Sequence, residues 1–163
     1  MDIPLKRYRK EFAHSYAFGV FPTLELLDAR PADTLGVLLH SRAQASEGGT
    51  RLREVCAAQG IALEVNDRAI ERLTPNESHH AVGVFAKSRL PLAPGASHVV
   101  LVNPADMGNL GTIARTMLGF GLDQLAIIRP AADWFDPRTV RASMGAVFRL
   151  ACEDFADFDA YRA

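Results

Sequence analysis

The fold is decided by residues 103–121, NPADMGNLGTIARTMLGFG. The residues just before it, HVVLV at 98–102, read as a strand buried on both faces. The loop 103–108 leads into a helix that runs to about Phe120, and Gly121 supplies its stop. QLAII at 124–128 is a second buried strand. Strand, helix and strand within about 30 residues make a βαβ unit, with parallel strands and a right-handed crossover. Successive helical residues turn by about 100°. With Gly108 at zero, Gly111, Thr112, Arg115 and Gly119 fall within about 60° of it. Leu110, Ile113, Ala114, Met117 and Phe120 lie toward the opposite side and form the expected core face. An exposed helix face ordinarily carries Glu and Lys, since glycine there costs about 1 kcal/mol relative to alanine. Small residues around a single arginine instead point to something large coming close to the backbone.

The position of the loop agrees. In open α/β sheets ligands bind beyond the carboxyl ends of the strands. A helix start offers unpaired N–H groups and a positive dipole end, both suited to phosphate. Asn109 can cap that start or turn its amide toward a ligand. Arg115 adds a planar donor fork for a phosphate or a sugar hydroxyl. A purely structural alternative stays open: a tight strand-to-helix turn that needs glycine, with Arg115 reaching a neighbouring carboxylate. The dinucleotide fingerprint is absent, because the glycine spacing differs and Asp123 comes too early to hold a ribose.

Working outward, Asp136–Pro137 has the form of an N-cap followed by proline at the first helical position, opening a helix or turn that includes 141–148. The last residues, ACEDFADFDAYRA, read as an acidic solvated edge that would repel RNA, with Asp157 capping a helix. Upstream, SRLPLAPGAS at 88–97 has linker chemistry. Before it the chain alternates short helices and strands. A helix is expected over 22–27, a strand over 35–39 and a helix from Thr50 to a stop at Gly60. A strand over 61–65, a helix capped by Asn66 and a strand over 81–86 follow. That pattern predicts a small α/β/α sandwich. The expected domains are 1–87, a linker 88–97, and 98–163.

Composition narrows the function classes. Apolar residues make up 48 % of the 163 and charged residues 23 %, a globular mixture. No apolar run is long enough for a membrane helix, and no secretory leader follows Lys6, Arg7, Arg9 and Lys10. Cys56 and Cys152 lack metal-ligand spacing, so no metal is expected and a reduced, cytoplasmic setting is. Residues 1–97 hold 12 Lys+Arg against 11 Asp+Glu, and residues 98–163 hold 6 against 8. RNA binding must therefore rest on local patches, of which the cluster of Lys6, Arg7, Arg9 and Lys10 is the best, a plain solvated arm being the alternative that stays open.

Residues 103–121 resemble the first motif of the SpoU-type RNA ribose 2′-O-methyltransferases, the TrmH-like branch of the SPOUT superfamily. The shared core is Asn-x-Gly-x-x-x-Arg, an apolar run and Phe-Gly, here Asn109, Gly111, Arg115, Phe120 and Gly121. The block DPRTVRASMGAVFRL is similar to a family stretch with Arg141, Ser143, Gly145 and Ala146. YRKEFAHSYAFGVFPTLELL resembles the opening of the small substrate-binding domain of many members. The resemblance implies an α/β/α RNA substrate-binding domain followed by a parallel-sheet α/β catalytic domain. It implies methyl transfer from S-adenosylmethionine to a ribose 2′-hydroxyl of rRNA or tRNA, by a homodimer. It makes Arg115 and Asn109 the catalytic residues, Asn109 by positioning the RNA or holding the loop; Gly108, Gly111, Arg141 and Ser143 are expected toward the RNA, and on charge alone so are Arg7, Arg9 and Lys10. A guanidinium is hard to deprotonate, so Arg115 is expected to clamp the nucleotide rather than act as base. The family's later Gly-x-Glu segment and Ser-Leu-Asn helix start, which hold the donor and tie the knot, are not found after Leu150. The expectation is a chain cut mid-domain, inactive alone and poorly stable as a monomer. A non-catalytic RNA-binding protein on the same scaffold is the alternative.

Overall fold

The computed structural model describes residues 5–74 and 79–163, which divide into two compact units, 1–87 and 88–163. The first unit runs β1 (His14–Phe18), α1 (Val20–Ala29), β2 (Thr34–Leu39), α2 (Glu47–Gln59), β3 (Leu63–Val65), α3 (Asp67–Leu73) and β4 (Ala81–Ala86). The sheet order is β1-β4-β2-β3, with β4 antiparallel to both β1 and β2, and β3 parallel to β2.

Side chains alternate across this sheet and build two cores. On one side Tyr16, Leu38, Val82 and Val84 pack with Ala69, Ile70 and Leu73 of α3, and Leu5 and Tyr8 of the N-terminal arm close over them. On the other, Val37, Leu39 and Ala81 pack with Leu27 of α1 and with Leu52 and Cys56 of α2. This is the α/β/α layering that the alternating pattern predicts. Gly83 sits where α1 crosses β4; a Cβ there would come within 2.8 Å of Leu26 Cδ2.

Two starts differ from expectation. β1 was not anticipated at all. α2 begins three residues before Thr50, because Ser46 Oγ accepts a hydrogen bond from the Gly49 N–H at 3.1 Å and so caps the helix. Gly60 ends α2 in the left-handed conformation at φ 67°, and Asn66 caps α3 through the Ala69 N–H, both as expected.

The second unit runs β5 (Val99–Val102), α4 (Met107–Gly119), β6 (Gln124–Ile128), α5 (Pro137–Ala142), β7 (Ala151–Phe155) and α6 (Phe158–Arg162). Its three strands are all parallel, in the order β5-β6-β7. β6 is central, and Leu125 through Ile128 are buried. β5 is an edge strand rather than a doubly buried one, and Val102 is 68 % exposed. β7 replaces the solvated tail expected from its acidic residues. The sheet is open, with no closed or knotted arrangement among the described residues. Residues 88–97 lie with this unit: the Leu90 carbonyl accepts from the Cys152 N–H at 3.2 Å, and the Gln124 side chain accepts from the Ala93 N–H at 2.8 Å. No described helix is long and apolar enough to cross a membrane.

Candidate functional site

The carboxyl ends of the three parallel strands carry interlocked loops. The Asn103 N–H donates to the Ile128 carbonyl at 3.0 Å, the Ala132 N–H to Pro104 at 2.7 Å, and the Arg129 N–H to Phe155 at 2.9 Å. Asn103 turns the chain out of β5 with a positive φ of 54°. Together these bonds fix the point at which α4 begins.

Asp106, not Asn109, caps α4: its Oδ1 accepts from the Asn109 N–H at 2.7 Å. A carboxylate thus already occupies the positive helix end, and the phosphate expected there would meet it head-on. Asp106 lies three residues before Asn109. The earlier one takes the role because its side chain then reaches the N–H of the third helical residue. The Asn109 amide is exposed and makes no side-chain hydrogen bond with a described residue.

The exposed face of α4 carries Gly108, Asn109, Thr112, Arg115, Thr116 and Gly119. Both threonine hydroxyls fold back onto the helix, Thr112 onto the Gly108 carbonyl at 2.8 Å and Thr116 onto Thr112 at 2.9 Å. Arg115 stands on this face, exposed, with no hydrogen bond or ion pair to any described residue. The carboxylate partner of the structural alternative is therefore not supplied by the described residues.

Gly111 departs from the expected bare face. It is buried against α5, where an added Cβ would lie 2.5 Å from the Thr139 carbonyl oxygen and 2.8 Å from the Ser143 nitrogen. Its missing side chain is explained by close helix packing, not by a ligand. Phe120 departs the other way, being 81 % exposed instead of core. Ser143 is fully buried and donates to the Val140 carbonyl at 2.7 Å, a bond that closes the end of α5. Arg141 is exposed in the last turn of α5. Arg7, Arg9 and Lys10 are exposed on the arm of the first unit.

Sequence reasoning passed over Arg138. Asp136 binds it twice, Oδ1 to Nε at 3.0 Å and Oδ2 to Nη2 at 3.1 Å. Those hydrogen bonds, with the charge of Asp136 and a further contribution from Asp106, hold the guanidinium above its ordinary pKa. Asp106 therefore has a cation in its neighbourhood at the mouth of the loops. Trp134, in the loop before α5, is buried. No group of three or more His, Cys, Asp or Glu among the described residues could hold a metal ion.

Residues 96–163 match the SpoU rRNA Methylase family. The chain carries the SpoU-type methyltransferase fold. An rRNA methyltransferase from Sinorhizobium meliloti, solved with AdoMet bound, is 27 % identical to it with a TM-score of 0.72, over 94 % of this chain and 58 % of that one. The 23S rRNA (uridine(2479)-2′-O)-methyltransferase of Streptomyces viridochromogenes is 36 % identical over 102 residues, 61 % of this chain and 34 % of that protein. The mitochondrial rRNA methyltransferase 3 of Xenopus tropicalis is 37 % identical over 73 residues, 45 % of this chain and 16 % of that protein. The chain thus spans little more than half the length of the solved relative and less of the curated ones. Counterparts of the Xenopus protein in Homo sapiens, Danio rerio and Mus musculus, also mitochondrial, match as well. They overturn the cytoplasmic expectation. Its physical basis was weak, since unpaired cysteines exclude oxidising compartments without choosing among reducing ones.

Val102, Asn103, Asp106 and Arg129, which line the carboxyl edge, are all exposed.

Proposed function

We propose that this chain is part of an RNA ribose 2′-O-methyltransferase acting on rRNA or tRNA, with S-adenosylmethionine as the methyl donor and a homodimer as the working form. The observation that carries the reading is Arg115: an unpartnered guanidinium on a face of glycine and threonine, two turns into the helix that leaves the first parallel strand. The family match over 96–163 and the AdoMet-bound relative support the reaction class.

In this reading Arg115 acts as a clamp. Its fork donates to the phosphate or the ribose oxygens of the target nucleotide, and the small neighbours let the sugar approach the helix. Holding the nucleotide in one orientation is itself a large part of catalysis for a displacement that demands alignment. Asn109, six residues earlier and about 120° around the helix, is also exposed, and we assign it to steadying the same nucleotide through its amide. Gly108 leaves room beside it, since a Cβ there would meet only Asp106 Oδ1, at 3.2 Å. Arg141 is the further cation we assign to the RNA, together with Arg7, Arg9 and Lys10 of the arm. Gly111 and Ser143 shape the α4–α5 contact that holds this face in place.

The test is Arg115→Ala in the full-length protein, read as methyl transfer from labelled S-adenosylmethionine into RNA. Alkali-resistant linkages in the product report a 2′-O site. We expect transfer to be lost with donor affinity retained, and full activity in the variant would sink the role of Arg115.

A further inference from the structure

The first unit carries an open groove of about 950 Å³ lined by Arg7, Asn66, Arg68, Glu71 and Arg72. We propose that this groove binds the sugar-phosphate backbone of a single-stranded RNA segment. The inference rests on the RNA-directed reading above and adds to it a site built on α3.

The sequence makes the groove in two steps. Arg68 and Arg72 are four residues apart on α3, so they project from the same side of the helix. Ala69, Ile70 and Leu73 face the opposite way, into the core. The N-terminal arm is then folded over that core: Leu5 and Tyr8 pack on it, and the Tyr16 hydroxyl donates to the Lys6 carbonyl at 2.7 Å. Pinning Leu5, Lys6 and Tyr8 leaves Arg7 exposed as the third cation of the groove. Residues remote in sequence thereby form one basic strip, in a chain whose net charge is only −1.

The chemistry selects the ligand. Three guanidinium groups line the groove against the one carboxylate of Glu71. None of the three makes a hydrogen bond or ion pair with a described residue. The Asn66 side chain is already committed, its amide donating to Glu64 at 2.6 Å and its oxygen accepting from the Ala69 N–H at 3.0 Å. Guanidinium forks match phosphate oxygens in pairs. No aromatic ring lines the groove, so base stacking is not part of the recognition. The expected binding is insensitive to sequence and sensitive to salt.

The experiment is fluorescence anisotropy with the 163-residue chain and a labelled single-stranded RNA of mixed sequence, over a series of KCl concentrations. Arg68→Ala with Arg72→Ala should weaken binding about tenfold or more at low salt, and flatten the log–log salt dependence by about 1.4. Arg68→Lys with Arg72→Lys should keep most of the slope, because the charges remain. Glu71→Gln should tighten binding, an effect that unfolding cannot imitate. If the double alanine variant and Glu71→Gln both bind as the parent does, the groove is overturned while RNA binding stands. If the parent chain binds no RNA at any salt, the RNA-directed reading falls, and the groove with it.

Discussion

The guanidinium of Arg89 grips the carboxylate of Asp154 at two points, Nη1 to Oδ1 at 2.9 Å and Nη2 to Oδ2 at 3.1 Å. The Phe135 ring lies beneath it at 5.4 Å, and Arg129 reaches the same carboxylate at 3.3 Å. The proline-rich stretch after residue 87 is thus fastened to the outer strand of the parallel sheet. Arg89→Ala should lower the stability of the second unit by about 1 kcal/mol, the pair being partly open to solvent. Arg89→Lys should recover little of it, since an ammonium cannot span both oxygens. Urea denaturation of the two variants beside the parent measures both effects.

Gly111 should tolerate no side chain. A methyl group there meets backbone atoms of α5, which cannot swing aside as a flexible side chain can. The helix propensity gained by alanine, about 1 kcal/mol, is outweighed by the overpacking. We expect Gly111→Ala to be destabilised by a net of about 1–3 kcal/mol, seen as an earlier urea midpoint at unchanged slope. An alanine variant as stable as the parent would show that α4 and α5 are not in this contact.

Arg115 should behave in the opposite way. It is exposed and unpartnered, so Arg115→Ala should change stability by less than about 0.5 kcal/mol. Removing a positioned donor from the reacting nucleotide should cost about a hundredfold to a thousandfold in rate in the full-length protein. Melting and single-turnover transfer, run on the same preparation, separate the two effects.

Asp67 predicts a pH dependence. Its carboxylate accepts from the Ser41 hydroxyl at 2.6 Å and from the Ser41 N–H at 2.7 Å. These bonds, with smaller contributions from the charges of His40 and Arg42, hold it below its ordinary value of 3.8. A carboxyl depressed in the folded state adds stability above the unfolded value, and that contribution is lost as pH falls from 3.8 through the folded pKa. In Ser41→Ala the titration should move part of the way back toward 3.8, the backbone N–H bond being kept, and the acid limb should depend less on Asp67. Carbon-detected NMR titration of the carboxyl follows this directly.

The sheet arrangement was largely legible where hydrophobic period and end signals agreed, as at Gly60, Asn66, Gly121 and Asp136–Pro137. It failed where the apolar pattern gives no sign of the strand. β1 reads His-Ser-Tyr-Ala-Phe, and its buried polar residues are tolerated only through tertiary partners: the His14 ring meets the Tyr16 hydroxyl at 3.1 Å. β7 reads Ala-Cys-Glu-Asp-Phe, and its acids looked solvated because Arg89 lies more than sixty residues away. The same limit applied to the site. Helical spacing found the small-residue face and Arg115, but the burial of Gly111 depends on α5, which no period in 103–121 reports. Arg68 and Arg72 were passed over for a similar reason, since only the folded arm turns two surface arginines into a groove.

The pairing of β1 with β4 bears on the order of events during synthesis. Among the described residues β1 is bonded to no strand but β4, and β4 is the last strand of its unit to be made. Its register, His14 opposite Ala86 and Phe18 opposite Val82, joins the two ends of that unit. On the ribosome the first eighty residues must therefore wait, with β1 unpaired, until Ala86 has left the exit tunnel. The arm hangs from β1 through Tyr16, so the three arginines of the groove come together only at that moment. A nascent chain stalled short of β4 would display the cations but not the groove.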